Sequence, residues 1–213
     1  MSEFDFKKDP FFNFQTLFKS ATVKGIPDHN AMNLSTVAFD ENTQKLKPSS
    51  RIVLLKGHHR GGFSFFTNYD GRKGQELSNN PSVAATFFWS NLDIQIRIEG
   101  QVDQLSGEES DQYFNSRARL SQIGAWASTQ SKPLKNFDEF HSRVHEFEKK
   151  FTNQKIPRPP NWGGFRIVPQ EIEFWFGKTG RLHERYVYQR TADKKTSVTS
   201  FDDYQWKTFL RYP

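Results

Sequence analysis

The chain has 213 residues, 35% hydrophobic and 15% aromatic with 22 phenylalanines, which suits one packed globular domain over 1–213 and not a disordered chain. It contains no cysteine, which excludes disulfides and thiolate metal sites, and no run approaches the roughly 18 apolar residues of a membrane-spanning helix. The formal net charge of +6, with a pI near 9.4, is compatible with nucleic acid, with surplus surface lysine or with small phosphorylated ligands, so the placement of the cations has to decide. Met1–Asp5 lacks the basic-then-apolar pattern of a signal peptide, and a cytoplasmic location is expected. Asp9 as N-cap and Pro10 at the first helical position predict a helix over 10–20. Short apolar, β-branched runs then predict strands at Leu34–Phe39, Arg51–Lys56, Gly62–Thr67, Ser82–Trp89 and Ile94–Val102, with a short helix at Arg72–Ser78.

Residues 108–151 read as helical. Tyr113, Arg117 and Ser121 fall at i, i+4 and i+8, one face of a predicted helix. Asn136 and Glu139 suggest a capping box, followed by an apolar stripe of Phe137, Phe140, Val144, Phe147 and Phe151. His141 and His145 share the polar side of that helix, but no glutamate lies between them in the zincin pattern, so surface histidines are the better reading. Strands resume at Gly164–Val168, Glu171–Phe176, Arg185–Arg190 and Gln205–Leu210, with Thr191–Asp203 as a hairpin connection or mobile loop. The sum is a β-rich α+β domain.

The cations fall in separate clusters. Arg51-Ile52-Val53-Leu54-Leu55-Lys56 is a strand with a cation at each end; the period of two puts Arg51 and Lys56 on opposite faces unless a bulge intervenes. It reads either as a buried strand with charged ends or as a strand serving two ligand groups. Asn68 to Gly74 runs from a strand end into a helix start, where free backbone N–H groups, Arg72 and Lys73 make an anion site. Tyr113, Arg117 and Ser121 could clamp a phosphate, and Gln130-Ser131 follow shortly after. Arg181, His183 and Arg185 alternate and are expected on one strand face. No triad, P-loop, dinucleotide fingerprint or metal motif is present. Nucleic-acid binding calls for a continuous basic stripe, so nucleic acid is set aside as a partner.

These segments together resemble the pyridoxamine 5′-phosphate oxidase family, over about residues 10–190 and again at Arg211-Tyr212-Pro213. The resemblance rests on Arg51–Lys56, on Ser116-Arg117 with Ser121–Trp126, on Trp162-Gly163-Gly164, on Glu173-Phe174-Trp175 and on Arg181-Leu182-His183-Glu184-Arg185, in the family's order. It implies an FMN-binding split β-barrel with flanking helices, assembled as a homodimer with FMN at the interface. It implies FMN contacts from Arg51, Ile52, Val53, Leu54, Leu55, Lys56, Phe66, Thr67, Arg72, Lys73, Gln95, Gln130, Ser131, Trp175 and Arg185. It implies substrate contacts from Lys56, Tyr113, Arg117, Ser121, Arg181, Leu182 and His183, with Arg181 and His183 over the substrate ring as the catalytic pair.

The implied reaction oxidises pyridoxine or pyridoxamine 5′-phosphate to pyridoxal 5′-phosphate with O2 as acceptor and H2O2 as product. Three departures stand out. Phe66 replaces a common Tyr, Asn115 and Ala118 replace common His and Pro, and the basic N-terminal segment that closes over the substrate is expected to be short or missing. Other readings are a flavin oxidoreductase of the phenazine-pathway type and a non-catalytic module that binds flavin or pyridoxal phosphate.

Overall fold

A computed structural model describes residues 4–58, 62–191 and 204–213. The chain divides into two compact units, one built from Met1–Phe65, Pro81–Asp103 and Arg166–Pro213, the other from Phe66–Asn80 and Gln104–Phe165. In chain order the helices are α1 (Pro10–Val23), α2 (Arg72–Asn79), α3 (Gly107–Ser116), α4 (Arg119–Ala127) and α5 (Phe137–Lys150). The strands are β1 (Ala31–Asp40), β2 (Lys45–Leu54), β3 (Phe63–Asn68), β4 (Ser82–Trp89), β5 (Ile94–Gln104), β6 (Trp162–Phe176), β7 (Glu184–Arg190) and β8 (Trp206–Leu210). The sheet order is β2-β1-β4-β5-β6-β7-β8, with β3 added on β6.

In the first unit, the Asp9 carboxylate accepts from the Phe11 N–H at 2.7 Å, and Pro10 opens α1 where a missing N–H costs nothing. Phe14, Leu17 and Ala21 then share one buried face. The Phe14 ring meets Phe63 at 4.8 Å and Phe87 at 5.3 Å. The pleat sends alternate residues of β4 and β5 inward, so Val83, Ala85, Phe87, Ile94, Ile96 and Ile98 join the core.

The run predicted as two strands is one continuous β6. Proline's fixed φ suits extended backbone, so Pro169 does not break it. Gly100 on β5 makes the approach possible: a Cβ there would collide with the Val168 carbonyl and stand 2.9 Å from the Pro169 Cα. β2 runs from Lys45 and stops at Leu54. Its N-terminal half is polar and escaped the pattern, but it pairs with β1 from Asp40↔Lys45 to Ala31↔Leu54. Beyond Leu54 the partner changes: Leu55 N–H bonds Asn30 O at 2.8 Å and Lys56 N–H bonds Ser64 O at 2.8 Å. The alternation that placed Arg51 and Lys56 on opposite faces therefore does not reach Lys56.

Phe4 and Phe6 lie against β6 and β7. Phe4 packs 5.2 Å from Phe174 and 5.0 Å from Tyr186, and Phe6 packs 5.2 Å from Tyr188. Buried Asn13 donates to the Tyr188 hydroxyl and to the Asp5 carbonyl, each at 2.8 Å. By the alternation of β6 this is the face opposite Trp175.

In the second unit, Phe114, Ile123, Phe151, Ile156 and Trp162 form the core. Ser106 and Glu109 form a reciprocal capping box on α3, and the Asn136 side chain caps α5 by accepting from the Glu139 N–H at 2.9 Å. The apolar stripe of α5 is only partly used: Val144 and Phe147 pack on the core, while Phe137 is exposed. His141 and His145 are exposed, and His145 meets Glu148 at 3.2 Å. The Thr191–Asp203 connection, from residue 192 on, lies outside the described residues.

Candidate active site

The second unit holds two constellations. The first is a stack of rings. Phe66 on β3 lies 4.0 Å from Tyr113 on α3 with 20° between planes, and 5.5 Å from Trp162 at 11°. The Arg117 guanidinium sits over Trp162 at 4.8 Å and near Phe114 at 5.7 Å. Its Nη1 is buried and has no hydrogen-bond partner. Burial pulls the Arg117 pKa below its usual value, and Tyr113 partly offsets this. A buried cationic donor without an acceptor is a place for an anion.

The spacing predicts one helix face for Tyr113, Arg117 and Ser121, but the three do not lie on one helix. Helix α3 ends at Ser116, Arg117 is extended (φ −75°, ψ 148°), and α4 begins at Arg119 after Ala118. The break occurs without a proline at 118. Ser121 lies exposed in the first turn of α4.

The second constellation surrounds the start of α2. Lys73 Nζ donates to Thr67 Oγ1 at 2.8 Å and to Gln130 Oε1 at 2.9 Å, and the Thr67 hydroxyl donates to Gln130 Oε1 at 3.1 Å. Gly71, the N-cap, supplies no side-chain acceptor to the first N–H groups of α2, the turn that carries Lys73. A Cβ at Gly71 would stand 2.7 Å from Gln130 Oε1, so a side chain there would push Gln130 off Lys73 and Thr67. Arg72 is turned to Glu76 at 2.8 Å. Exposed Ser131 adopts φ 68° directly after Gln130.

The first unit holds the other predicted residues. Register decides which of them share a face. Ile52 pairs with Asn33, Asn33 with Thr86, and Thr86 with Arg97. Arg97 approaches Glu173 at 3.7 Å, and Trp175 pairs with Arg185. Ile52, Leu54, Gln95, Trp175 and Arg185 therefore project from one sheet face. Ile52 and Leu54 are 64% and 43% exposed, and Phe88 on the same face is 60% exposed.

Arg51 and Val53 point the other way. Arg51 donates to Thr36 Oγ1 at 2.6 Å and Ser49 Oγ at 2.5 Å. Leu55 and Lys56 line a cavity of about 760 Å3 with Phe11, Phe12, Phe18 and His29.

Arg181, His183 and Arg185 are not three residues of one strand. Arg181 closes a 3-10 turn, Thr179–Arg181, with Gly180 at φ 69° and Arg181 itself at φ 62°. Only Arg185 lies on β7. The reversal between β6 and β7 consumes the residues that alternation would have placed on the strand. A non-glycine residue held left-handed is strained, a condition that clusters at functional sites. Leu182 is exposed, and the His183 ring lies 4.5 Å from Trp175, with its Nδ1 accepting from the Lys178 N–H at 3.2 Å. In the neutral ring that leaves the proton on Nε2.

Arg185 is engaged with Glu173, which is 2% exposed. Its Nε and Nη2 donate to the carboxylate at 2.8–3.1 Å. Arg211 also bonds Glu173 at 2.8 Å. The roles of Glu173, Arg97 and Arg211 escape sequence reasoning. The available signal was a carboxylate, Glu173, set between the apolar residues Ile172 and Phe174 of the strand.

The residues present fit a phosphorylated aromatic cofactor and a phosphorylated substrate: one unit carries an acceptorless guanidinium and an uncapped helix start with a lysine, the other a sheet face with apolar and aromatic groups. The model of the family described as "Pyridoxamine 5'-phosphate oxidase" matches residues 18–151, and that described as "Pyridoxine 5'-phosphate oxidase C-terminal dimerisation region" matches residues 162–213. A pyridoxine/pyridoxamine 5'-phosphate oxidase of Bdellovibrio bacteriovorus is 50% identical over 99% of this chain and 100% of its own length.

The solved structure of PhzG from Burkholderia lata, in complex with tetrahydrophenazine-1-carboxylic acid, superposes with a TM-score of 0.83 at 26% identity, covering 96% of this chain and 93% of that one. A pyridoxamine 5'-phosphate oxidase-related, FMN binding protein from Nostoc punctiforme shares the fold with a TM-score of 0.70 at 14% identity, covering 97% of this chain and 100% of that one. With its α+β fold, that of the split-barrel proteins, the chain belongs to the pyridoxamine 5′-phosphate oxidase family.

Proposed function

We propose that this chain is an FMN-dependent oxidase that converts pyridoxine 5′-phosphate or pyridoxamine 5′-phosphate to pyridoxal 5′-phosphate, with O2 as acceptor and H2O2 as product. The observation that carries the substrate half is Arg117, a guanidinium stacked on Trp162 with one buried nitrogen awaiting an acceptor. A substrate phosphate supplies that acceptor, and Lys56, Tyr113 and Ser121 are assigned to the same group. Arg181, Leu182 and His183 orient the pyridine ring so that its exocyclic carbon is held for hydride transfer. Bound FMN supplies hydride acceptance.

For FMN the assigned residues are Arg51–Lys56, Phe66, Thr67, Arg72, Lys73, Gln95, Gln130, Ser131, Trp175 and Arg185. The Lys73–Thr67–Gln130 cluster at the start of α2 supports an anion-binding role there. Arg72 and Arg185 act with the carboxylates they already hold. A homodimer with FMN at its interface is part of the proposal. The exposed apolar residues Ile52, Leu54 and Phe88 on one sheet face support it, as does the match of residues 162–213 to a dimerisation region. A chain acting as one domain in the cytoplasm completes the reading; among the described residues no helix is long and apolar enough to cross a membrane.

The likeness to PhzG favours a second reading, oxidation of a phenazine-type substrate. The acceptorless Arg117 weighs against it, since a substrate without phosphate leaves that donor unpaired. The test is an absorbance spectrum of the purified protein followed by anaerobic addition of pyridoxine 5′-phosphate. Bleaching of a flavin band is expected. A flavin band that persists with both B6 phosphates would sink the oxidase reading and leave a flavin-binding module or another substrate. Light scattering should give twice the 24.9 kDa chain mass; a single chain mass would remove the dimer.

A further inference from the structure

Arg211 and Tyr212 follow directly on β8. Arg185 has little freedom in this structure. Its Nε donates to Glu173 Oε1 at 3.1 Å, and its Nη2 donates to Oε1 at 3.0 Å and Oε2 at 2.8 Å. Its Nη1 donates to the Tyr212 carbonyl at 2.9 Å. Held on Glu173 through Nε and Nη2 and on Tyr212 through Nη1, the guanidinium has its plane fixed, and only its remaining η N–H hydrogens are left for a ligand. It presents those hydrogens and a fixed positive charge beside Trp175, its cross-strand partner.

What fixes it is built from the chain after β8. Arg211 Nη1 bridges Glu171 Oε1 at 3.0 Å and Glu173 Oε2 at 2.8 Å, and its Nη2 reaches Glu171 Oε2 at 3.2 Å. The Arg211 N–H also bonds the Arg185 carbonyl at 3.1 Å, extending the ladder past Leu210. Arg97, itself paired with Glu99 at 2.8 Å, closes the other side of Glu173 at 3.7 Å. Three guanidiniums thus meet three carboxylates around one buried glutamate. A carboxylate this buried holds its geometry only while each neighbour is in place. Little of the fold depends on the outer members: Tyr212 is 92% exposed, and Arg211 contributes no side chain to the core.

We propose that Arg211 and the Tyr212 carbonyl form a positioning clamp that, through Glu173, sets the direction in which the Arg185 guanidinium faces FMN. This rests on the reading that Arg185 serves FMN. Neither residue is a catalytic one; they act through Arg185.

The test is a double-mutant cycle on the full-length, FMN-loaded protein, reading FMN dissociation by recovery of flavin fluorescence on dilution. Arg185→Ala is expected to raise the FMN Kd about tenfold or more, the scale of a lost charged hydrogen bond. Arg211→Ala is expected to raise it about fivefold, with a melting temperature within ~2 °C of the parent. Arg211→Lys should recover little, because an ammonium cannot span Glu171 and Glu173 as the planar fork does.

In the Arg185→Ala background, Arg211→Ala should add nothing. An Arg211→Ala effect of equal size with and without Arg185, or no effect at all, overturns the clamp while leaving Arg185's role intact. An unchanged Kd in Arg185→Ala overturns that role and the clamp with it.

Discussion

The Arg117 guanidinium lies 4.8 Å from the centre of the Trp162 ring, and its buried Nη1 has no hydrogen-bond partner. The ring holds the cation's plane, and the vacant donor defines where an anion fits. Arg117→Ala should therefore raise KM for pyridoxine 5′-phosphate about 30-fold, the equivalent of ~2 kcal/mol, with FMN content unchanged. Trp162→Phe keeps a ring beneath the cation and should raise KM less. Steady-state kinetics with flavin absorbance checks both; equal loss of FMN and of substrate affinity would contradict the assignment to substrate.

Lys73 bonds both Thr67 and Gln130, at 2.8 and 2.9 Å, beside the uncapped start of α2. Lys73→Met removes the charge and both bonds while keeping the stem. FMN Kd should rise at least about tenfold, since a charge-assisted bond contributes roughly 1.5–3 kcal/mol. Fluorescence titration of FMN decides the matter, and an unchanged Kd would exclude this helix start from the flavin site.

Arg181 carries the left-handed φ of 62°, next to Gly180 at 69°. Two substitutions separate backbone from side chain. Arg181→Gly relieves strain and should stabilise by about 0.5–1 kcal/mol relative to Arg181→Ala. Both should lose most of kcat/KM while retaining FMN. If Arg181→Gly keeps full turnover, the side chain has no part in the reaction.

Burial drives the Tyr188 phenol well above the ordinary tyrosine range, against the opposing hydrogen bond from Asn13. An unfolded tyrosine ionises near pH 10, while the folded one stays neutral. Above about pH 10 the unfolded state binds fewer protons, so this group's contribution to stability is complete below that pH and is lost as pH rises toward the folded value. Tyr188→Phe removes the contribution. Its stability should fall less steeply above pH 10, by about 1.4 kcal/mol per pH unit at the limit. Urea unfolding at several alkaline pH values measures this; parallel slopes for parent and variant would refute it.

Some features are legible in the residues because they depend on near neighbours. Asp9-Pro10 opens α1, Asn136 caps α5, and the alternation of Ser82–Trp89 and Ile94–Val102 marks β4 and β5, since capping and pleat operate within about four residues. The residue types of the anion-binding constellations are legible for the same reason: Lys73, Arg117 and Gln130 lie in short polar segments between apolar runs.

Other features depend on partners far along the chain. The helix break at Arg117, which separates Tyr113 from Ser121, comes with its stacking on Trp162, 45 residues away by numbering. The continuity of β6 through Pro169 needs the space that Gly100 leaves. Arg181 leaves the strand because the reversal before β7 needs its residues. Glu173, a carboxylate between Ile172 and Phe174, becomes the anchor of Arg185 and Arg211 only once register lays β5, β6, β7 and β8 side by side. Period and capping are local and can be read from the residues alone; register and the satisfaction of a buried charge are not, and only the tertiary structure decides them.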